Sequence, residues 1–350
     1  MKSSFLLLPL ILLFLGSCNS DNNNSKQSDT ASDAVVNVYS HRHYTSDEKL
    51  YKAFEAETGI KVKLVKASAD QLLERIKMEG ENSPADLIIT IDAGRLWRAK
   101  DAGLLQAIES AEIMDQIDPL FRDKEKQWVG LTYRSRVFVV HKDRIEGLDL
   151  LKTYDGLAHP KFKGRVLVRS SENLYNQSLL SALIAHKGEA NALNWTKQVV
   201  ENMARKPKGN DTDQLKSVAA GIGDIALVNT YYLARLMDSE QNEEKTIAKE
   251  LKIIFPDSGK YGAHINISGI GLLHHSKNKE NALKLIQFLT NVNSQELLAE
   301  ENNEYPVNPD AEWPSILKAF GDFRKDTLDL NDLGKYNTQA VKIMDEAGWQ

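Results

Sequence analysis

From Ala34 onward, stretches that read as strands take turns with stretches that read as helices, and that order leaves few architectures open. Ala34–Tyr39 is a short, β-branched apolar run. Thr45-Ser-Asp-Glu48 has the form of a capping box, and Leu50, Tyr51 and Phe54 follow at helical spacing as far as Gly59. Ile60–Val65 alternates like a half-buried strand, Gln71–Met78 is helical, and Asp86–Thr90 is an apolar strand. A helix then runs through Leu96, Trp97 and Ala99 to Gly103. This βαβαβ order predicts an α/β fold, a mainly parallel sheet covered by helices on both faces. The second half repeats the habit, with strands at Val137–His141, Gly164–Arg169 and Asp224–Asn229 and helices beginning near Asn173, Asn191, Thr212 and Thr230. Asn281–Thr290 and Asn293–Glu301 form a late helical pair. With 350 residues, 42% of them apolar, the chain has room for two packed domains of roughly 100–200 residues each.

The amino-terminal end is different. Lys2 precedes an apolar run from Phe5 to Leu15, and Leu15-Gly-Ser-Cys18 closes it. One positive charge and a short apolar core describe a secretory signal, too short to span a membrane. The ending resembles the lipobox of bacterial lipoproteins, in which the cysteine is lipidated and becomes the first residue of the mature chain. Residues 1–17 are therefore expected to be the signal peptide, and residues 18–33 a lipidated Cys18 followed by a flexible tether. Residues 19–33 carry no large apolar side chain to bury. The expected location is extracytoplasmic, on a lipid anchor at the bacterial membrane. Cys18 is the sole cysteine, so no disulfide can form within the chain. A formal charge of −5 argues against a nucleic-acid partner, which usually demands a basic excess.

Ligands of open α/β sheets bind beyond the carboxyl ends of the strands. The first such junction holds Tyr39-Ser-His-Arg-His-Tyr44, the later ones Ser170-Ser-Glu-Asn-Leu-Tyr175 and Thr230-Tyr-Tyr232, with Thr230 as the expected N-cap. Four of eleven tyrosines, Tyr44, Tyr175, Tyr231 and Tyr232, thus fall at three junctions, with His43 beside the first. Any one of them could be ordinary core packing. A cluster of phenols suits a strongly Lewis-acidic cation, because free tyrosine ionises only near pH ~10 and the metal must supply the stabilisation. Zinc prefers cysteine and histidine, and calcium prefers carboxylates and carbonyls, so Fe³⁺ fits best. Fe²⁺ taken up first and held oxidised would use the same groups. Arg42, Arg134 and Arg136 lie in crevice-facing stretches and would offset phenolate charge or orient the rings. The competing reading makes these arginines the grip of an organic-anion binder.

At these residues the chain resembles the iron-binding proteins of bacterial ABC importers. The resemblance is carried by Tyr39-Ser-His-Arg-His-Tyr44, Ser83-Pro-Ala-Asp86, Ser170-Ser-Glu-Asn-Leu-Tyr-Asn-Gln177, Gly223-Asp-Ile-Ala-Leu-Val-Asn-Thr-Tyr-Tyr232 and Asn303-Glu-Tyr-Pro-Val-Asn308. It runs in order from Val35 to about Pro309. It implies a two-lobed periplasmic-binding-protein fold of type II, with iron held in the cleft, delivery to an ABC permease, and a monomer. By motif, His43 and Tyr44 correspond to first-lobe ligands, and Tyr175, Tyr231 and Tyr232 to second-lobe ligands. One branch of the family places a glutamate just after the Ala-Asp strand; here that position is Ile91, followed by Asp92. The departure favours the tyrosine-rich branch similar to cyanobacterial ferric binders and leaves open whether Asp92 or Tyr39 contributes. A synergistic anion is not obligatory there. Lobe one is expected at residues 34–132 plus 258–310, and lobe two at 133–257 plus 311–350, with His264–Gly271 a returning crossover strand. His274-His275 has no spaced partners and reads as a solvated loop. No phosphate loop, zinc-protease helix, dinucleotide fingerprint or nucleophile elbow is present in the sequence, so no enzyme activity and no organic cofactor is expected. A ligand-sensing lipoprotein with no transport role is the remaining alternative.

Overall fold

A computed structural model describes residues 34–256, 258–259 and 261–350. Cys18, the signal sequence and the tether lie outside the described residues. The strands in chain order are β1 (Val35–Ser40), β2 (Lys61–Lys66), β3 (Leu87–Thr90), β4 (Leu105–Gln106), β5 (Trp128–His141), β6 (Val166–Leu167), β7 (Ile225–Asn229), β8 (Leu251–Ile254), β9 (Ile265–Leu273) and β10 (Tyr305–Pro306). They follow the path β2-β1-β3-β9-β5-β7-β6, with β4, β8 and β10 paired at its sides. The helices Thr45–Thr58 and Ala69–Glu79 return the chain between parallel neighbours, as the βαβαβ reading requires. The sheet is nevertheless mixed rather than mainly parallel. β9 and β5 run antiparallel to their partners, and a strand that returns from far along the chain is free to do so.

β5 organises the rest. Its fourteen residues are all buried. Residues up to Ser135 pair with β9, and Arg136–His141 pair with β7 and β8. Only its apolar end, from Val137, is readable as strand, because Arg134 and Arg136 break the apolar run and carry their polar partners into the interior with them.

The core divides accordingly. One cluster gathers Val38, Phe54, Ile88, Leu96, Trp128 and Ile267, and it reaches as far as Leu330 and Leu333. Beyond Arg136 the two faces of β5 part in the period of two expected of a strand: Phe138 and Val140 face Trp195 and Trp349, while Val137 and Val139 face Leu215 and Leu233.

Helix starts explain how the junctions are shaped. Ser68 with Gln71 and Asn210 with Asp213 form true capping boxes, and Asp92 and Asn173 each accept a backbone N–H of the helix they open. The expected box at Thr45–Glu48 does not form. Tyr44 occupies the N-cap position, and no side chain caps that helix. Nor is Thr230 an N-cap: Asn229 holds that position, and the Thr230 hydroxyl accepts from Ser135 N at 3.4 Å instead. Two of the tyrosine junctions therefore sit at helix starts that no side chain caps, at the positive end of a helix dipole.

Asp86, fully buried in the Ser83-Pro-Ala-Asp motif, ties β1 to the far end of β9. It accepts from Asn37 N and Nδ2, from Ser276 Oγ, from Lys277 N, and from Asn278 N and Nδ2. Asp86→Ala orphans all of these donors, and we expect a loss of about 3–5 kcal/mol. The denaturant midpoint measures it, and an unchanged midpoint would refute the role.

Candidate metal centre

Tyr44, Tyr175, Tyr231 and Tyr232 come together. The Tyr231 hydroxyl donates to that of Tyr175 at 3.1 Å, and the Tyr231 and Tyr232 rings lie 4.4 Å apart. Arg235 links the first junction to the third, its guanidinium carbon 5.6 Å from the Tyr44 ring and 4.7 Å from that of Tyr231. His43 is exposed beside Tyr44, its ring edge-on to His41 at 6.2 Å. Among the described residues no group of three or more His, Cys, Asp and Glu side chains is placed to hold a metal, so the donors gathered here are phenolic.

Tyr44, Tyr231 and Tyr232 are held in their protonated forms. Burial, then the nearby Glu304 carboxylate, pushes Tyr44 above its ordinary value against the pull of Arg42 and Arg235. Burial, then the neighbouring Tyr175, Tyr232 and Tyr44, drives Tyr231 well above it. Tyr232 is pushed up to about 12, chiefly by burial.

Guanidinium groups surround these rings. Arg42 lies 4.8 Å from the Tyr44 ring and is clasped by both Asp47 oxygens at 2.9 and 3.0 Å. Arg134, Arg136 and Arg169 stand 5.7, 5.8 and 5.5 Å from the Tyr175 ring. Arg134 donates to the Ile91 carbonyl, which puts the anomalous position of the Ala-Asp strand behind the site. Arg136 is bound to Asp211 at 2.6 Å and donates to Asn176 and Asn229. The Arg169 carbonyl accepts from Asn176 Nδ2 and, at 2.9 Å, from the indole of Trp349. Five guanidinium groups thus face three buried carboxylates, Asp47, Asp211 and Glu304, a surplus of positive charge that phenolates would offset. With Arg42 and Arg136 already committed to Asp47 and Asp211, they are poorly placed to grip an organic anion.

Asp92 caps the helix Ala93–Asp101, one oxygen accepting from Arg95 N at 3.1 Å and the other from Asn266 Nδ2 at 2.7 Å. Asn266 in turn lines a small cavity with Tyr175, Arg134 and Arg136. Tyr39 donates its hydroxyl to Glu79 at 3.0 Å. Sequence reasoning missed Arg235, Arg169 and Glu304. Arg235 was findable, since it follows Tyr231 by four residues and so shares its helix face. Arg169 lies two residues past β6, which spans only Val166–Leu167 rather than the expected Gly164–Arg169, and six residues before Tyr175. Glu304 stands inside the Asn303–Asn308 motif, but only the fold brings it near Tyr44.

A family model described as bacterial extracellular solute-binding protein matches residues 49–320. The chain is 45% identical over 315 residues to iron uptake protein A1 of Synechocystis, covering 90% of this chain and 87% of that one. It is 32% identical over 321 residues to the major ferric iron-binding protein of Neisseria meningitidis, with 90% and 93% covered. Among solved structures, a Trichodesmium protein (IdiA, FutA) in complex with iron and citrate ligands superposes with a TM-score of 0.86 at 46% identity, covering 91% of this chain and 100% of that one. The ferric binding protein from Campylobacter jejuni gives 0.84 at 39%, with 90% and 100% covered.

At least seven of the eleven tyrosines (Tyr39, Tyr44, Tyr51, Tyr133, Tyr231, Tyr232 and Tyr305) are held above the ordinary phenol value. A spectrophotometric titration of the metal-free protein is expected to leave most of the phenolate signal undeveloped at pH ~10, where free tyrosine is half ionised. A full signal by pH ~11 would show that the phenols are not desolvated.

Proposed function

This chain belongs to the family of bacterial extracellular solute-binding proteins, and we propose that its solute is ferric iron, captured by Tyr44, Tyr175, Tyr231 and Tyr232 with His43 as the fifth donor and passed to an ABC permease. The observation that carries the proposal is the convergence of four phenols from three strand-to-helix junctions within a ring of guanidinium groups. The names of relatives at 45% and 32% identity, an iron uptake protein and a ferric iron-binding protein, point the same way, toward transport rather than catalysis. Anchoring through lipid on Cys18 and a monomeric state complete the proposal.

Capture is a competition with protons. Tyr44, Tyr231 and Tyr232 are phenols at neutral pH, so each bound Fe³⁺ displaces at least three protons. A trivalent ion drives that exchange better than a divalent one, because its charge does the ionising. The phenolates formed are stabilised by Arg235, Arg134 and Arg169 and by the uncapped starts of the helices Thr45–Thr58 and Thr230–Asp238.

The division of the core supports two lobes, residues 34–132 with 258–310 and residues 133–257 with 311–350, although the stretch from Trp313 to Leu333 packs on the first cluster before residues 340–349 join the second. With His43 and Tyr44 on one lobe and the other phenols on the second, iron binds the closed arrangement better than the open one and shifts the population toward it.

The purified protein is expected to hold one iron per chain, with the red-orange colour of a ferric–tyrosinate complex. Tyr231→Phe with Tyr232→Phe keeps both rings but removes two donors. It should abolish the colour and the stoichiometric iron while changing stability by only about 1 kcal/mol, the worth of a hydroxyl hydrogen bond. A coloured double variant would sink the assignment. Because protons and iron compete for the same oxygens, affinity falls as pH falls, by at least about a thousandfold per pH unit while the three phenols stay protonated in the free protein. A visible band that survives undiminished from neutral pH to pH ~4 would point to carboxylate ligands instead.

A further inference from the structure

Between β8 and β9 the chain passes close against a later stretch. Ala263 N donates to the Arg324 carbonyl at 2.8 Å, and Asp326 N donates to the Ala263 carbonyl at 2.9 Å. Gly262, at φ +95°, permits the approach, since a Cβ there would lie 2.8 Å from the Arg324 carbonyl oxygen. Both passes meet the end of the helix Leu174–Lys187 at one residue. The His186 ring stacks on Tyr261 with centroids 3.9 Å apart and planes 16° from parallel, and the Tyr261 hydroxyl donates to the His186 carbonyl at 3.0 Å. On its other side His186 Nε2 lies 2.7 Å from a carboxylate oxygen of the buried Asp326. The same helix carries Tyr175 in its first turn.

A cavity of about 280 Å³ adjoins this joint, lined by Tyr154, Leu183, Gly259, Gly262 and His264 among others. Close-packed interiors resist displacement, so free volume beside a glycine-bearing segment is where backbone torsions can change at low cost. On the two-lobe reading, Gly262 stands just past a chain crossing between the lobes, while Asp326 belongs to the stretch from Trp313 to Leu333, which packs on the first cluster before the chain joins the second at Ala340. We propose that His186 is the positioning residue of the hinge, joining the crossing at Tyr261 and Gly262 and the Asp326 stretch to the helix that carries Tyr175 and so holding the arrangement in which the phenols meet. The inference rests on the iron-capture reading given above.

The test uses the chain with Cys18→Ser. His186→Ala releases both segments, so the closed arrangement is less populated and apparent iron affinity is expected to fall about threefold or more. The visible band should keep its wavelength, because no phenol is altered. Small-angle scattering should show a larger difference in radius of gyration between iron-free and iron-loaded protein than in the parent. Should His186→Ala fail to fold, Asp326→Asn and Tyr261→Phe each loosen one segment and are expected to give part of the effect. His186→Gln, whose amide can still donate to Asp326, should recover part of the lost affinity. Variants that lose melting temperature but keep parental affinity and radius of gyration would overturn the proposal and leave His186 a purely stabilising contact. If the parent itself takes up no iron, the iron-capture reading fails. Spin labels on Met78→Cys and Ile222→Cys, both exposed, then still decide the hinge. A distance distribution that widens in the iron-free His186→Ala chain supports it, and an unchanged one overturns it.

Discussion

Arg136 is almost wholly buried, and Asp211 at 2.6 Å is the reason it can be, because a guanidinium inside a protein without an anion would cost several kcal/mol. The pair shapes everything nearby. Asp211 opens the helix Asp211–Ala219 and also accepts from Asn229 N, the last residue of β7, so the start of the Thr230–Asp238 helix is held relative to β5. The other branch of Arg136 donates to Asn176, whose amide donates in turn to the carbonyls of Arg169 and Ser170. That fixes the turn from which Tyr175 projects. Three of the four phenols therefore take their positions from one ion pair in the middle of a strand, the sort of preorganisation that a binding site needs from its supporting shell.

This support divides the labour between groups. The carboxylates of Asp47 and Asp211 hold arginines, while Tyr44, Tyr231 and Tyr232, uncharged at neutral pH, are groups left to change charge. On the iron-capture reading, an empty centre with more guanidinium than carboxylate repels every cation, and only one charged strongly enough to ionise several phenols recovers that cost. Selectivity thus follows from the cost of making phenolate rather than from the size of the pocket.

Much of the fold was legible because local signals and tertiary structure agree in the first half: β1 to β3 and their helices sit where period and turn residues place them. What was not legible depended on distant partners. Arg134 and Arg136 disguised the middle of β5, because their cost is cancelled by Asp211, Asn176 and the Ile91 carbonyl, which are remote in sequence. The capping box expected at Thr45 failed because the helix begins directly after Tyr44, with Ser46 turned to Asn302 instead. In the site, the tyrosines could be found by asking what stands at strand ends, and Arg235 shares a helix face with one of them. Glu304 could not be found so, since no pattern in the chain links residue 304 to residue 44. Asp92, conspicuous beside the strand end, proved to be a helix cap.

The indole of Trp349 donates to the carbonyl of Arg169, whose guanidinium faces Tyr175, and its ring packs near Trp195. The phenol cluster is thus braced by residues far apart in the sequence, Arg42 on one side of the tyrosines and Trp349 on the other. A nascent or clipped chain that already displays every tyrosine through Tyr232 would still lack this brace. On the iron-capture reading such a chain holds the metal less well, although it carries all four phenols.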